Sequence, residues 1–285
     1  MVVVYAILGC VILENSSQYE AVQGVSSRPS PPMEKQIEKN GYTFIEIPSG
    51  MYSVGHTGDF PLEEQPQFFV ELANLYVGKT EVTNTVFATY LNDVGYTLQQ
   101  ASSIVGLRGT SMYPTEIVYS NERFRASLGY EDYPVTAVTF LGAQSFCAWI
   151  GGRLPMEYEW EIVAAATRKK TQNTLYPWGN EGEKTKANID GLGVQSVCNY
   201  DTNNWGLCDV MGNVWEWTES YFLPYQGHMD VLQTEHMLFR RVLRGGDWFS
   251  RWENISLFTR LPMPQDTRGL LDGGIGFRCV VENAL

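Results

Sequence analysis

Polar and apolar residues alternate over Tyr42-Thr43-Phe44-Ile45-Glu46-Ile47, the period-two signature of a strand with one buried face. Ser49-Gly50 then turns into Met51-Tyr52-Ser53-Val54-Gly55, which predicts a hairpin between the two runs. Residues 68–72 and 75–79 read as two more short strands. At Thr83-Asn84 the period changes, and Phe87, Tyr90 and Leu91 recur at helical spacing behind a Thr83 or Asn84 cap. Residues 134–140 predict a strand feeding a second helix, on which Ala143, Phe146, Cys147 and Ile150 share a face until Gly151-Gly152 stops it. A third helix starts at Pro155, with Glu157, Glu159 and Glu161 in its first turns, where carboxylates meet the positive end of the helix dipole. Residues 97–130 offer only Gly106, Gly109 and Gly129 as signals and read as an insertion. From Asn180 onward turns and short strands dominate. No repeat or heptad interrupts this pattern, so residues 41–285 are predicted to form one loop-rich α+β domain.

Composition narrows the function classes. The chain has 285 residues, 44% apolar and 13% aromatic, enough for a substantial core. Its 20 Lys and Arg stand against 32 Asp and Glu, a net charge of −12 with no basic run. That balance excludes nucleic acid, whose binding rests on clustered cations, and disfavours an anionic membrane surface. Residues 1–10 form an apolar run ending in Ile7-Leu8-Gly9-Cys10, which resembles a bacterial lipoprotein signal with Cys10 as the lipidated residue. It is too short to span a bilayer, and no positive charge precedes it, so an apolar tail is the alternative. Residues 11–40, rich in Ser, Gln, Glu and Pro, read as a flexible tether. Membrane attachment would then be through the lipid alone, placing the domain on a bacterial cell surface or outer membrane, and otherwise in the periplasm or outside the cell.

The densest motif is Gly206-Leu207-Cys208-Asp209-Val210-Met211-Gly212-Asn213-Val214-Trp215-Glu216-Trp217. With Gly152-Arg153-Leu154-Pro155, Glu157-Tyr158-Glu159-Trp160-Glu161, Arg244-Gly245-Gly246-Asp247-Trp248 and Gly276-Phe277-Arg278-Cys279, it resembles the formylglycine-generating-enzyme/sulfatase-modifying-factor domain over roughly residues 42–281. The resemblance implies a modified C-type lectin-like fold with a few helices. It also implies calcium at the side chains of Asp209 and Glu216 and the carbonyls of Gly212 and Val214, an oxygen-rich turn of the kind calcium requires. The alternative is that Asp209 caps a turn and Glu216 pairs with an arginine such as Arg278. A second family calcium site would begin at Asn188-Ile189, but its later acidic ligand has no clear counterpart. The family position of Cys147 implies a disulfide with Cys279, and Cys198 and Cys208 could close a short loop, the other reading of each being a buried thiol. The tryptophans of these motifs are core positions in the family rather than a sugar-stacking platform. The three histidines, His56, His228 and His236, lack metal-ligand spacing.

The oxidases of that family hold copper between two cysteines five residues apart, just after the Gly-Gly motif. Here Ser250 and Ile255 stand at or near those positions, so a thiolate copper site cannot be built. Between Gly246 and Gly276 the chain instead carries Phe249, Arg251, Trp252, Leu261, Met263, Leu270 and Leu271, a mixture of aromatic, cationic and apolar side chains on expected loops. This frame, residues 244–278, also resembles the variable region of proteins diversified by retroelements, the treponemal variable proteins among them. The expectation is a surface-displayed, non-catalytic protein that binds a macromolecular ligand, a protein in the first instance, through Asp247, Phe249, Ser250, Arg251, Trp252, Leu261, Met263, Thr267, Leu270, Leu271 and Asp272. An enzyme of the sulfatase-maturing or sulfoxide-synthase type and a structural envelope lipoprotein are the alternatives.

Overall fold

A computed structural model describes residues 35–57, 61–111, 114–167, 174–225, 239–269 and 274–282. Cys10, most of the tether, His228, His236, Leu270, Leu271 and Asp272 lie outside them. Two four-stranded sheets carry the fold. The first runs in the order β1 (Gln36–Lys39), β2 (Tyr42–Ile47), β5 (Leu75–Gly78) and β12 (Val280–Val281), all antiparallel. The strand β1 precedes the domain start expected at Gly41. The second runs β10 (Leu261–Pro264), β9 (Arg240–Arg244), β8 (Trp215–Tyr221) and β11 (Ile275–Gly276), with β11 parallel to β8.

The hairpin expected between β2 and residues 51–55 does not form. Instead β3 (Gly50–Val54) pairs with β4 (Phe68–Leu72), while both edges of β2 are taken by β1 and β5. Residues 134–140 are likewise not a strand. They make only isolated bridges, Thr83 with Pro134 and Val105 with Val138, before the Thr139 hydroxyl caps α3 (Phe140–Trp149). The helix α1 (Asn84–Asp93) is capped by Thr83 and buries Phe87, Tyr90 and Leu91, as the pattern predicts. The expected insertion is a built element. Thr97 and Gln100 form a reciprocal capping box on α2 (Leu98–Ile104), and β6 (Ile117–Ser120) and β7 (Arg123–Ala126) pair across a turn in which Asn121 and Glu122 both take positive φ.

The core lies where α1, α3 and the last strands meet. Phe87 stacks on Phe146 at 5.6 Å, and Phe277 meets both edge-on. Cys147 and Cys279 are bonded there, joining α3 to the residue before β12. The helix α4 (Glu157–Ala165) packs on β3, β8 and β9. Trp160 and Trp217 are buried, so these motif tryptophans are core.

Candidate functional site

Glu157 and Glu159 stand in the first turn of α4, where Glu159 accepts the Met156 N–H, but Glu157, Glu159 and Glu161 are also buried and each meets an arginine. Arg244 pairs with Glu161 and donates to the carbonyls of Leu257, Phe258 and Thr259. Arg260 forks onto Glu157 at 2.7 and 2.8 Å and also reaches the carbonyls of Glu63 and Leu223. These buried guanidinium groups therefore fix backbone as well as charge: Arg244 holds residues 257–259, and Arg260 ties residue 63 to the same wall.

A third pair decides the expected calcium turn. Glu216 Oε1 accepts from Arg278 Nε and Nη2, and Oε2 accepts from Arg278 Nε at 2.8 Å and Trp160 Nε1 at 2.9 Å. Three N–H donors therefore engage the carboxylate, with Arg278 Nε shared between its two oxygens. Asp209 Oδ2 accepts the Cys198 N–H, beside the Cys198–Cys208 disulfide. Asp209 lies against Cys198 and Cys208, whose sulfurs are joined to each other. Glu216 is thus paired with an arginine, as the alternative reading has it, and Asp209 is tied to the Cys198 backbone. Asn188 is similarly committed, donating to Gly193 and Asn213. At Gly212, with φ near +79°, an added Cβ would meet the Asn188 carbonyl at 2.5 Å, which explains the glycine. Burial, then the charges of Asp209 and Glu216, push the Glu81 carboxyl well above its ordinary range.

The segment after Gly246 is a compact turn. Ser250 Oγ donates to Asp247 Oδ1 at 2.7 Å, and the Ser250 N–H donates to the same oxygen at 2.9 Å. Burial raises the Asp247 carboxyl, and the bonds from Ser250 partly offset it. Ile255 is buried, and a Cβ on Gly246 would lie 3.0 Å from it. The two positions that hold reactive cysteines in the resembled oxidases are therefore a hydrogen-bonded hydroxyl and a core side chain.

The residues expected to contact a ligand separate into groups. Phe249, 57% exposed, and Arg251 project from the turn. Trp252 is half-buried, packed edge-on against Tyr176 and Trp178 and over Gly182. Thr267 is half-buried beside the exposed Asp266 and Arg268. Three expectations need correction. Asp247 is buried and holds the turn together; Met263 is buried; and Leu261 and Met263 sit on β10, not on a loop, paired with Leu243 and Arg241. Trp252, Glu253, Asn254 and Ile255 line an open cavity of about 690 Å³ together with Pro61, Glu64 and Tyr176. Glu64 was not anticipated: its surroundings in sequence, residues 61–67, carry no periodic signal. Burial raises its carboxyl to about 7, although Arg244 pulls it down.

Fold and site together define a formylglycine-generating-enzyme-type, C-type lectin-like domain in which the reactive positions are filled by other side chains. The chain belongs to the sulfatase-modifying factor enzyme 1-like domain family, whose profile matches residues 29–283. It is 30% identical over 272 residues to the serine/threonine-protein kinase Pkn1 of Chlamydia trachomatis serovar L2, covering 93% of this chain and 41% of that one. It thus spans about two fifths of the length of that relative. It is 25% identical over 300 residues to the formylglycine-generating enzyme of Bos taurus, covering 90% and 76%. In structure it is similar to Treponema denticola variable protein 1, with a TM-score of 0.61 at 19% identity, covering 89% and 100%.

Proposed function

We propose that this protein binds a ligand rather than transforming one, and that the turn at residues 247–252 is the centre of its recognition face. The carrying observation is the fate of the two cysteine positions: Ser250 is locked onto Asp247 and Ile255 is sealed in the core, while Phe249 and Arg251 stand in solvent beside an open cavity. An exposed aromatic next to an exposed cation, on a turn whose base is fixed by buried arginines, has the composition of a binding hot spot. The partner is a macromolecule, in the first instance a protein. Display at a bacterial surface through a lipid on Cys10 completes the proposal, and the similarity to a variable protein agrees with a diversified face.

The test is a Phe249→Ala/Arg251→Ala variant. Trp252 is left in place because it packs against Tyr176 and Gly182. Affinity for a partner captured from a surface-protein extract on the immobilised domain is expected to fall by roughly a thousandfold, about 2 kcal/mol for each anchor, with an unchanged thermal melt. Conversion of a cysteine peptide to its aldehyde by the copper-treated wild-type chain under oxygen would overturn the reading.

A further inference from the structure

Leu192 is 102% exposed, the most exposed large apolar side chain among the described residues. Exposure by itself says little, since Leu128 reaches 95%; what sets Leu192 apart is how its loop is held. The Asp190 N–H donates to the Ser250 carbonyl at 2.9 Å, and the Gly191 N–H donates to the Trp248 carbonyl at 2.7 Å. The chain entering Leu192 is therefore bonded to the residues on either side of Phe249. Beyond Leu192, Asn188 Nδ2 donates to the Gly193 carbonyl at 2.9 Å and to Asn213 Oδ1 at 3.0 Å, which closes the loop across its tip. Gly191 has no room for a side chain, because a Cβ there would lie 2.3 Å from Asn188 Oδ1. Leu192 is thus a fixed projection whose loop is ordered before any partner arrives.

The surroundings decide what this projection can meet. Phe249, 57% exposed, stands on the turn to which the loop is bonded, edge-on to Trp248 at 5.6 Å. A side chain this exposed is convex and encloses nothing, so a small molecule gains little by touching it; its complement is an apolar concavity on a macromolecule. At the base of the tip, Lys184 Nζ lies 2.8 Å from Asp190 Oδ2. The Asp190 carboxyl is held below its ordinary range by that ammonium and further by the charge of Arg251. Two cations thus act on this one carboxylate, and Glu253, which follows Trp252, lines the cavity instead. That balance favours a partner surface with a carboxylate of its own. The ionised Asp190 also opposes insertion of the tip among acyl chains, where a charge is costly.

We propose that Leu192 and Phe249 are two tips of one knob that enters an apolar pocket of a protein partner, with Arg251 meeting a carboxylate at the rim of that pocket. This rests on the recognition reading above and deepens it, extending the face to a loop outside residues 244–278. Because both tips stand on loops fixed by backbone hydrogen bonds, docking orders little that is not already ordered.

The probe is the protein that a surface extract delivers to the immobilised wild type and not to Phe249→Ala/Arg251→Ala, identified by mass spectrometry and purified. Calorimetry should show Leu192→Ala binding this protein at least about tenfold more weakly than the wild type, because truncation withdraws most of an apolar side chain from the pocket. The thermal melt should not move, since a fully exposed side chain supports no core. Leu192→Met, close in volume, should stay within about threefold of the wild type. Leu192→Ala/Phe249→Ala should lose less than the product of the two single losses, because tips that share a pocket are coupled. Added salt should weaken the wild type more than Arg251→Gln. Binding by Leu192→Ala as tight as the wild type, or single losses that simply multiply, overturns the shared knob. If that happens while Phe249→Ala/Arg251→Ala still loses the protein, this loop is no part of the face and the recognition reading stands. If Phe249→Ala/Arg251→Ala retains every protein that the wild type does, both fall. A second arm uses vesicles of phosphatidylethanolamine and phosphatidylglycerol. Cosedimentation of the wild type that Leu192→Ala abolishes would identify a lipid surface and refute a protein pocket.

Discussion

Replacing Arg278 by methionine tests whether the motif residues are frame rather than face. The guanidinium is 1% exposed; it binds both oxygens of Glu216 and donates to the carbonyls of Gly78, Cys208 and Asp209 at 3.2, 3.0 and 3.3 Å. A methionine fills much of the stem, so the cavity contribution is small. What remains is Glu216, equally buried, with only the Trp160 N–H to satisfy it. Removing one partner of a buried pair costs about 3–5 kcal/mol, because the other charge stays in the interior. Against a total stability of about 5–15 kcal/mol, and with about 2–4 °C lost per kcal/mol for a domain of this size, the melting temperature should fall by about 6–20 °C. Removing both charges with Glu216→Met/Arg278→Met should recover most of that loss. Urea and thermal melts of the two variants beside the wild type measure it. A single variant within about 1 kcal/mol of wild type, or a double variant no better than the single, would refute the reasoning.

The other expectations concern titration, cross-links and metal. An acid whose pKa is higher in the folded chain than in the unfolded one holds more protons when folded, so its ionisation opposes folding. Glu64, at about 7 against an ordinary 4.5, therefore contributes stability that is complete below about pH 4.5 and is lost as pH rises through about 7, up to about 3 kcal/mol. Melts from pH 4 to pH 9 should show Glu64→Gln above the wild type at high pH, with the difference vanishing at low pH; parallel curves would contradict this. Loss of the Cys147–Cys279 bond, which closes a separation of 132 residues, should cost about 5 kcal/mol, against about 3 kcal/mol for Cys198–Cys208 at a separation of 10. Paired alanine variants and peptide mapping without reductant check both. Because Glu216 is already held by Arg278 and Trp160, a calcium chelator should leave the melting temperature unchanged, and a chelator-induced fall with calcium found by elemental analysis would restore the metal.

The sequence reading was most accurate where local chemistry governs and least where distant partners do. Thr83 before an apolar stripe, and Gly151-Gly152 after one, mark α1 and α3 because caps act within one turn. The capping box of Thr97 and Gln100 was present in the chain but is easily passed over among polar residues. Residues 134–140 look like a strand because they are apolar and β-branched, yet their backbone partners lie on separate segments, so only isolated bridges form. The three α4 glutamates illustrate the same limit. Their position suggested a dipole effect, whereas their partners Arg153, Arg244 and Arg260 stand between 6 and 103 residues away. Met263 was legible as bulky and apolar but not as buried, since the pairing of β10 with β9 brings in residues from another part of the chain. Glu64 left no trace in the pattern, because its burial and its charged neighbours Arg244, Glu161 and Arg260 come from distant parts of the chain.

A photoreactive residue in place of Phe249, set against the same residue in place of the more exposed Leu128, tests the central claim most directly. Leu128 is 95% exposed and lies far along the chain from the turn, in the segment after β7. Irradiation of the displayed protein with a surface-protein extract should yield a discrete adduct from position 249, suppressed by excess unlabelled wild type and not by Phe249→Ala/Arg251→Ala, with none from position 128. No adduct at 249, or the same adduct at both positions, would show that this turn is not a recognition face.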